Sequence, residues 1–128
     1  MDNDQPIPIT IKGIVLNRDV FVDEGVTIGN DVTIVCRKGG RVIIGKNSYI
    51  NGGQYRAIKV DIQIGSDCTI GYNVTFVTNY GSHYMPKANF ARIKPIVIGK
   101  NVWIGDGVKV RGGVTIIPRE SPWIYPRG

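Results

Sequence analysis

Histidine is nearly absent: one occurs in 128 residues, at position 83. A single imidazole cannot supply the three-histidine ligand set of a catalytic zinc site, so no metal is expected. Cysteine is scarce too, with Cys36 and Cys68 alone. Two thiols do not make the disulfide framework of a small secreted domain. No apolar run approaches the ~20 residues of a membrane span. No stretch of three turns has the apolar spacing of an amphipathic helix. The start, Met1-Asp2-Asn3-Asp4, is acidic and polar, unlike a secretory leader. Together these absences predict one all-β domain, cytoplasmic and without a membrane span. The net charge is +6. With no helix to enter a groove and no stacked aromatics on a basic face, nucleic acid is not the expected partner.

What is present is a beat of six residues. Ile98, Ile104, Val110 and Ile116 hold it, with Val102, Val108 and Val114 in a companion phase. Leu16, Val22, Ile28 and Ile34 form an earlier run, Ile44 and Ile50 another, and Ile64, Ile70 and Phe76 a further one. Cys68 falls in the companion slot, where it would act as a small hydrophobe. A period of six fits neither helix nor simple strand. It suits a short strand plus a tight corner, repeated as a solenoid. Gly29, Gly45, Gly65, Gly71, Gly99 and Gly105 follow the aliphatic residues. They predict sharp turns through glycine's backbone freedom. Asn and Asp recur nearby, at 30–31, 47, 67, 73, 101 and 106, and also suit turns.

The phase breaks between Ile34 and Ile44, between Ile50 and Ile64, and between Phe76 and Ile98. The last break is the longest and contains His83 between Tyr80 and Tyr84, after Asn79. Loops extruded from a regular scaffold are where function concentrates. Lys87, Arg92, Lys94 and Lys100 cluster around this break. They read either as a site for phosphates or an acidic substrate, or as a solvated loop.

A Phe-x-Thr stretch, a His, a loop with Pro, and then Pro95-Ile96-Val97-Ile98-Gly99-Lys100-Asn101-Val102-Trp103-Ile104-Gly105 resemble the hexapeptide-repeat acetyltransferases. The nearest flavour is that of bacterial sugar and capsular-polysaccharide O-acetyltransferases. The resemblance implies a left-handed parallel β-helix, a triangular solenoid. Here it would fill residues 1–117, with loop 77–97 extruded and a non-repeat tail at 118–128 as a possible cap. It implies acetyl-CoA as donor, a saccharide hydroxyl as acceptor, and a homotrimer. His83 maps onto the family's general base. Asn79, Tyr80 and Tyr84 are then candidate acceptor contacts, with Tyr55 and Arg56 fainter ones. Trp103 should face outward and line a donor cleft or a subunit contact. Gly105 or Asp106 would offer a backbone donor to the oxyanion.

Two departures from the family stand out. Asp106 occupies a position where a small neutral residue is commoner. The beat stops at Ile116, and Pro118, Pro122 and Pro126 then disfavour sheet pairing. The alternative expectation is therefore a truncated, non-catalytic trimeric scaffold of the same fold.

Overall fold

Six-residue spacing becomes three short strands per coil, joined by three corners. The computed structural model describes residues 12–15, 19–79, 93–117 and 123–124. In chain order its strands are Lys12–Val15 (β1), Val20–Val22 (β2), Thr27–Ile28 (β3), Asn30–Arg37 (β4) and Val42–Ile44 (β5). Tyr49–Ile50 (β6), Gly53–Ile58 (β7), Ile62–Ile64 (β8), Thr69–Ile70 (β9) and Val74–Val77 (β10) follow. Ile96–Ile98 (β11), Trp103–Ile104 (β12), Lys109–Arg111 (β13), Thr115–Ile116 (β14) and Trp123–Ile124 (β15) complete the set. Every third strand joins the same sheet. The orders are β1-β4-β7-β10-β13, β2-β5-β8-β11-β14 and β3-β6-β9-β12-β15. We call these faces A, B and C. All pairings are parallel. The result is an all-β parallel solenoid of about four turns, consistent with a left-handed β-helix.

Parallel register stacks like residues over like. Val22, Ile44, Ile64, Ile98 and Ile116 form one inner column, and Ile28, Ile50, Ile70 and Ile104 occupy the equivalent positions on face C. Most of these side chains are fully buried. Each buried aliphatic side chain contributes about 1.5–3 kcal/mol of transfer free energy. Ser48 takes a companion slot beside Cys68 and is itself buried. Its Oγ donates to Gly65 O at 2.7 Å and accepts from Cys68 N at 3.0 Å, so the hydroxyl is satisfied inside the corner. The Cys68 thiol donates to Gly99 O at 3.0 Å.

Turn chemistry divides differently from the sequence expectation. At the B–C and C–A corners left-handed conformations fall on Asp31, Asn47, Asp67, Asn73 and Asn101, with φ between 57° and 62°, and on Gly25, Gly53 and Gly107. The glycines after the aliphatic residues do not adopt positive φ; they serve close approach. A Cβ on Gly65 would lie 2.7 Å from the Gly99 carbonyl carbon, and one on Gly45 would lie 2.6 Å from the Gly65 carbonyl carbon. Stacked coils, about 4.8 Å apart, leave no room there for a methyl group.

The three phase breaks fall mainly on one edge of the prism, with one residue dropped at the C–A edge between Ile50 and Tyr55. From face B to face C the inner aliphatics are six apart in four coils, Val22 to Ile28, Ile44 to Ile50, Ile64 to Ile70 and Ile98 to Ile104, and eight apart in the last, Ile116 to Ile124. From face A to face B they run Ile34 to Ile44, Tyr55 to Ile64 and Phe76 to Ile98 before returning to six at Val110 to Ile116. Extra chain therefore accumulates at the A–B edge.

Two expectations are corrected. Tyr55 is not an acceptor contact but a core residue, 1 % exposed, in register with Ile34 and Phe76. Its ring stacks on Phe76 with centroids 4.9 Å apart. The six-residue beat does end at Ile116, but sheet pairing does not: Trp123–Ile124, eight residues on, pairs in parallel with Trp103–Ile104. Prolines at 122 and 126 flank that pair without entering it, so its N–H donors remain.

Candidate functional site

Asn79 sits where the longest break leaves face A. The root of that segment is clamped from both neighbouring coils. Thr78 is fully buried. Its hydroxyl accepts from Ile58 N at 2.8 Å and lies within donating distance of Ile58 O at 3.2 Å and Arg56 O at 3.3 Å. Thr78 O accepts from Lys94 N at 3.4 Å, which closes the segment's two ends on each other. Below, Gly112 N donates to Val77 O and Gly113 N to Pro95 O, both at 2.9 Å. A Cβ on Gly112 would lie 2.5 Å from Thr78 O and 2.6 Å from Lys94 O. Sequence reasoning quoted the Phe-x-Thr stretch but gave Thr78 no role. Its signal was a hydroxyl in an inner slot beside an insertion.

His83, Tyr80, Tyr84, Lys87 and Arg92 lie outside the described residues. Asn79 is half-buried, with its side-chain oxygen shielded from solvent. Trp103 points outward as expected, 37 % exposed, in one row with Thr27, Tyr49 and Thr69 on face C. Face C is opposite the A–B edge, so one chain does not bring Trp103 onto the root of the break. Lys100 also separates from Lys94: it lies in the B–C corner, whereas Lys94 stands at the A–B edge. Arg56 is half-buried, in register with Val35 and Val77 on face A.

Gly105 is buried and Asp106 exposed, both at the C–A corner. Asp106 finds a structural use there. Its Oδ1 accepts from Tyr72 N at 2.8 Å, while Gly107 N donates to Tyr72 O at 2.9 Å. The carboxylate thus ties one coil's turn to the next, over Gly71, whose missing Cβ leaves it room. Beside this turn lies an open groove of about 450 Å³ lined by Asp31, Thr33, Gly53, Gln54, Tyr72 and Asn73 among others.

Neither cysteine is poised for chemistry. Burial, then the charge of Asp19, pushes the Cys36 thiol up to about 11. Burial raises Cys68 as well. Thiols held protonated are poor nucleophiles at neutral pH. Among the described residues no three His, Cys, Asp or Glu side chains group to hold a metal, and no helix is long and apolar enough to cross a membrane.

Relatives exist over most of this solenoid. The chain is 32% identical over 103 residues to galactoside O-acetyltransferase of Escherichia coli K12, covering 79% of this chain and 51% of that protein. It is 34% identical over 86 residues to polysialic acid O-acetyltransferase of Escherichia coli O1:K1 / APEC, covering 62% of this chain and 27% of that protein. Its homologues are hexapeptide-repeat O-acetyltransferases. No family profile and no solved structure matches. The chain spans about half the length of the first of these O-acetyltransferases and about a quarter of the second.

Proposed function

We propose that the chain transfers an acetyl group from acetyl-CoA to a saccharide hydroxyl, with His83 as general base. The 103-residue match to a galactoside O-acetyltransferase carries this reading. The loop order around His83 and the Val102-Trp103-Ile104-Gly105 piece support it.

Imidazole titrates near neutrality, so it can take a hydroxyl proton as the oxygen attacks the thioester carbonyl. The new C–O bond gives a tetrahedral oxyanion, which collapses as the C–S bond breaks. The same imidazolium then returns its proton to the leaving thiolate. No acyl-enzyme is formed, so the buried thiols have no role. A backbone N–H at Gly105 or Asp106 would meet the transient oxyanion. Asn79, Tyr80 and Tyr84 would orient the acceptor, and Trp103 would flank the donor.

The placement of Trp103 opposite the A–B edge supports a site completed between copies of the chain, as a homotrimer. A monomeric mass by light scattering would remove that arrangement. For the chemistry, His83→Ala should lower kcat/KM with acetyl-CoA and a panel of galactosides about 10²–10⁴-fold. An unchanged rate of CoA release would sink the role of His83.

A further inference from the structure

At three successive C–A corners, the backbone N–H that follows the inner aliphatic residue is used on the next coil. Gly29 N donates to Ile50 O at 2.7 Å, Asn51 N to Ile70 O at 3.1 Å and Gly71 N to Ile104 O at 2.8 Å. The fourth corner, Gly105-Asp106-Gly107, is held differently. Gly105 N has no hydrogen-bond partner among the described residues. The turn is fixed instead from the coil before it.

Three contacts do this. Asp106 Oδ1 accepts from Tyr72 N at 2.8 Å. Gly107 N donates to Tyr72 O at 2.9 Å. Both polar groups of the Tyr72 main chain are therefore engaged by residues 106 and 107. Gly71 completes the fit: a Cβ there would run into Asp106 Oδ1, and would lie 2.9 Å from Asp106 N and 3.1 Å from the Gly105 carbonyl carbon. The Gly105–Asp106 peptide is thus packed against bare backbone and pinned through its own side chain. Tyr72 holds the equivalent corner position one coil earlier and leaves its ring 62 % exposed, so its main chain alone makes the tie.

We propose that Asp106 is a positioning residue for acetyl transfer: its carboxylate fixes the Gly105–Asp106 turn so that a backbone N–H there is preset for the oxyanion. The inference rests on the acetyl-transfer reading above for the reaction, and on the Tyr72 tie for the geometry. A donor aimed before the reaction needs no reorganisation when charge develops, and a misplacement of about 1 Å can cost about 10²-fold in rate. A free carboxylate beside a developing oxyanion would oppose it. Here the carboxylate is engaged by the Tyr72 N–H, which accounts for an acidic residue where a small neutral one is commoner.

Two readouts on the full-length chain test this: CoA release from acetyl-CoA with a galactoside acceptor, and hydrogen exchange of the Gly107 N–H by NMR without a donor. Asp106→Ala removes the acceptor of the Tyr72 N–H. It should speed Gly107 exchange about ten-fold. It should lower kcat about 10–100-fold and leave the KM for acetyl-CoA within about two-fold, because the oxyanion exists only on the way to product. Asp106→Asn keeps a side-chain oxygen in the same place and removes the charge, so its kcat should equal or exceed the native value. Tyr72→Ala keeps the main-chain tie and should leave both readouts unchanged. The positioning role is overturned if Asp106→Ala keeps the native kcat in an active chain, or if its loss falls on KM alone. It is also overturned if Asp106→Asn or Tyr72→Ala is as slow as Asp106→Ala. A native chain that releases no CoA sinks the acetyl-transfer reading and the positioning role with it, while faster Gly107 exchange in Asp106→Ala would still establish the tie.

Discussion

The B–C edge and the A–B edge of the same coils obey different rules. At the B–C edge the first four coils spend six residues each, a left-handed Gly, Asn or Asp turns the chain, and a small residue tucks inside. At the A–B edge the coils differ in length, and the left-handed residues among those described there are Lys38, Gly39, Lys59 and Gly113. Inner side chains remain in register on both sides of that edge. Repetition is therefore kept closely at two edges, the exceptions being five residues from Ile50 to Tyr55 and eight from Ile116 to Ile124. The third can carry added chain and added charge without loosening the core, because backbone pairing resumes at the next strand.

That contrast breaks most visibly in the interior. Phe76→Ala removes a buried ring that stacks on Tyr55 and should cost about 3–5 kcal/mol, since neighbouring coils relax little into the space. Urea unfolding of the purified chain measures it; a loss as small as that of a surface variant would mean that the stack is not the stabilising unit. Thr78→Val probes the clamp at the variable edge. It leaves the Ile58 N–H unpaired and should cost about 1–3 kcal/mol. Acetyl transfer should fall further than the fraction of folded protein explains, and Thr78→Ser should restore both. Equal loss of fold and rate would reduce Thr78 to a core residue.

A gentler test uses pH. Cys36 titrates at about 11 against an ordinary value of 9.0. Burial favours the thiol in the folded state, so this contribution is intact below about pH 9 and is lost as pH rises through about 11. Burial raises Cys68 and Tyr55 in the same direction. Melting temperature should therefore decline above pH 9, and Cys36→Ala should flatten the decline. An unchanged slope in that variant would assign it to the other buried groups.

Most of the fold was legible because parallel stacking writes its period into the chain. Ile28, Ile50, Ile70 and Ile104 could be placed inside from spacing alone. Tyr55 could not, because it follows Ile50 by five residues and precedes Ile64 by nine. Glycine's role was misread for a related reason: spacing locates a turn but does not say whether φ or clearance between coils demands the missing Cβ. Trp123–Ile124 was hidden by flanking prolines, although two residues suffice to pair. At the site, the outward direction of Trp103 followed from its phase. The Asp106 carboxylate and the Thr78 hydroxyl act across coils, between residues 34 and 20 positions apart in the chain, and no local pattern marks such contacts.

Thr78 O and Lys94 N meet directly, so the chain enters and leaves its longest excursion at a single point. A detour closed in this way adds free energy only with the logarithm of its length. The junction is thus nearly blind to how much sequence hangs from it. Gly39, two coils away on the same edge, has open space around its absent Cβ. That edge is a natural grafting seam, where foreign peptides could be displayed while the remaining two edges keep time.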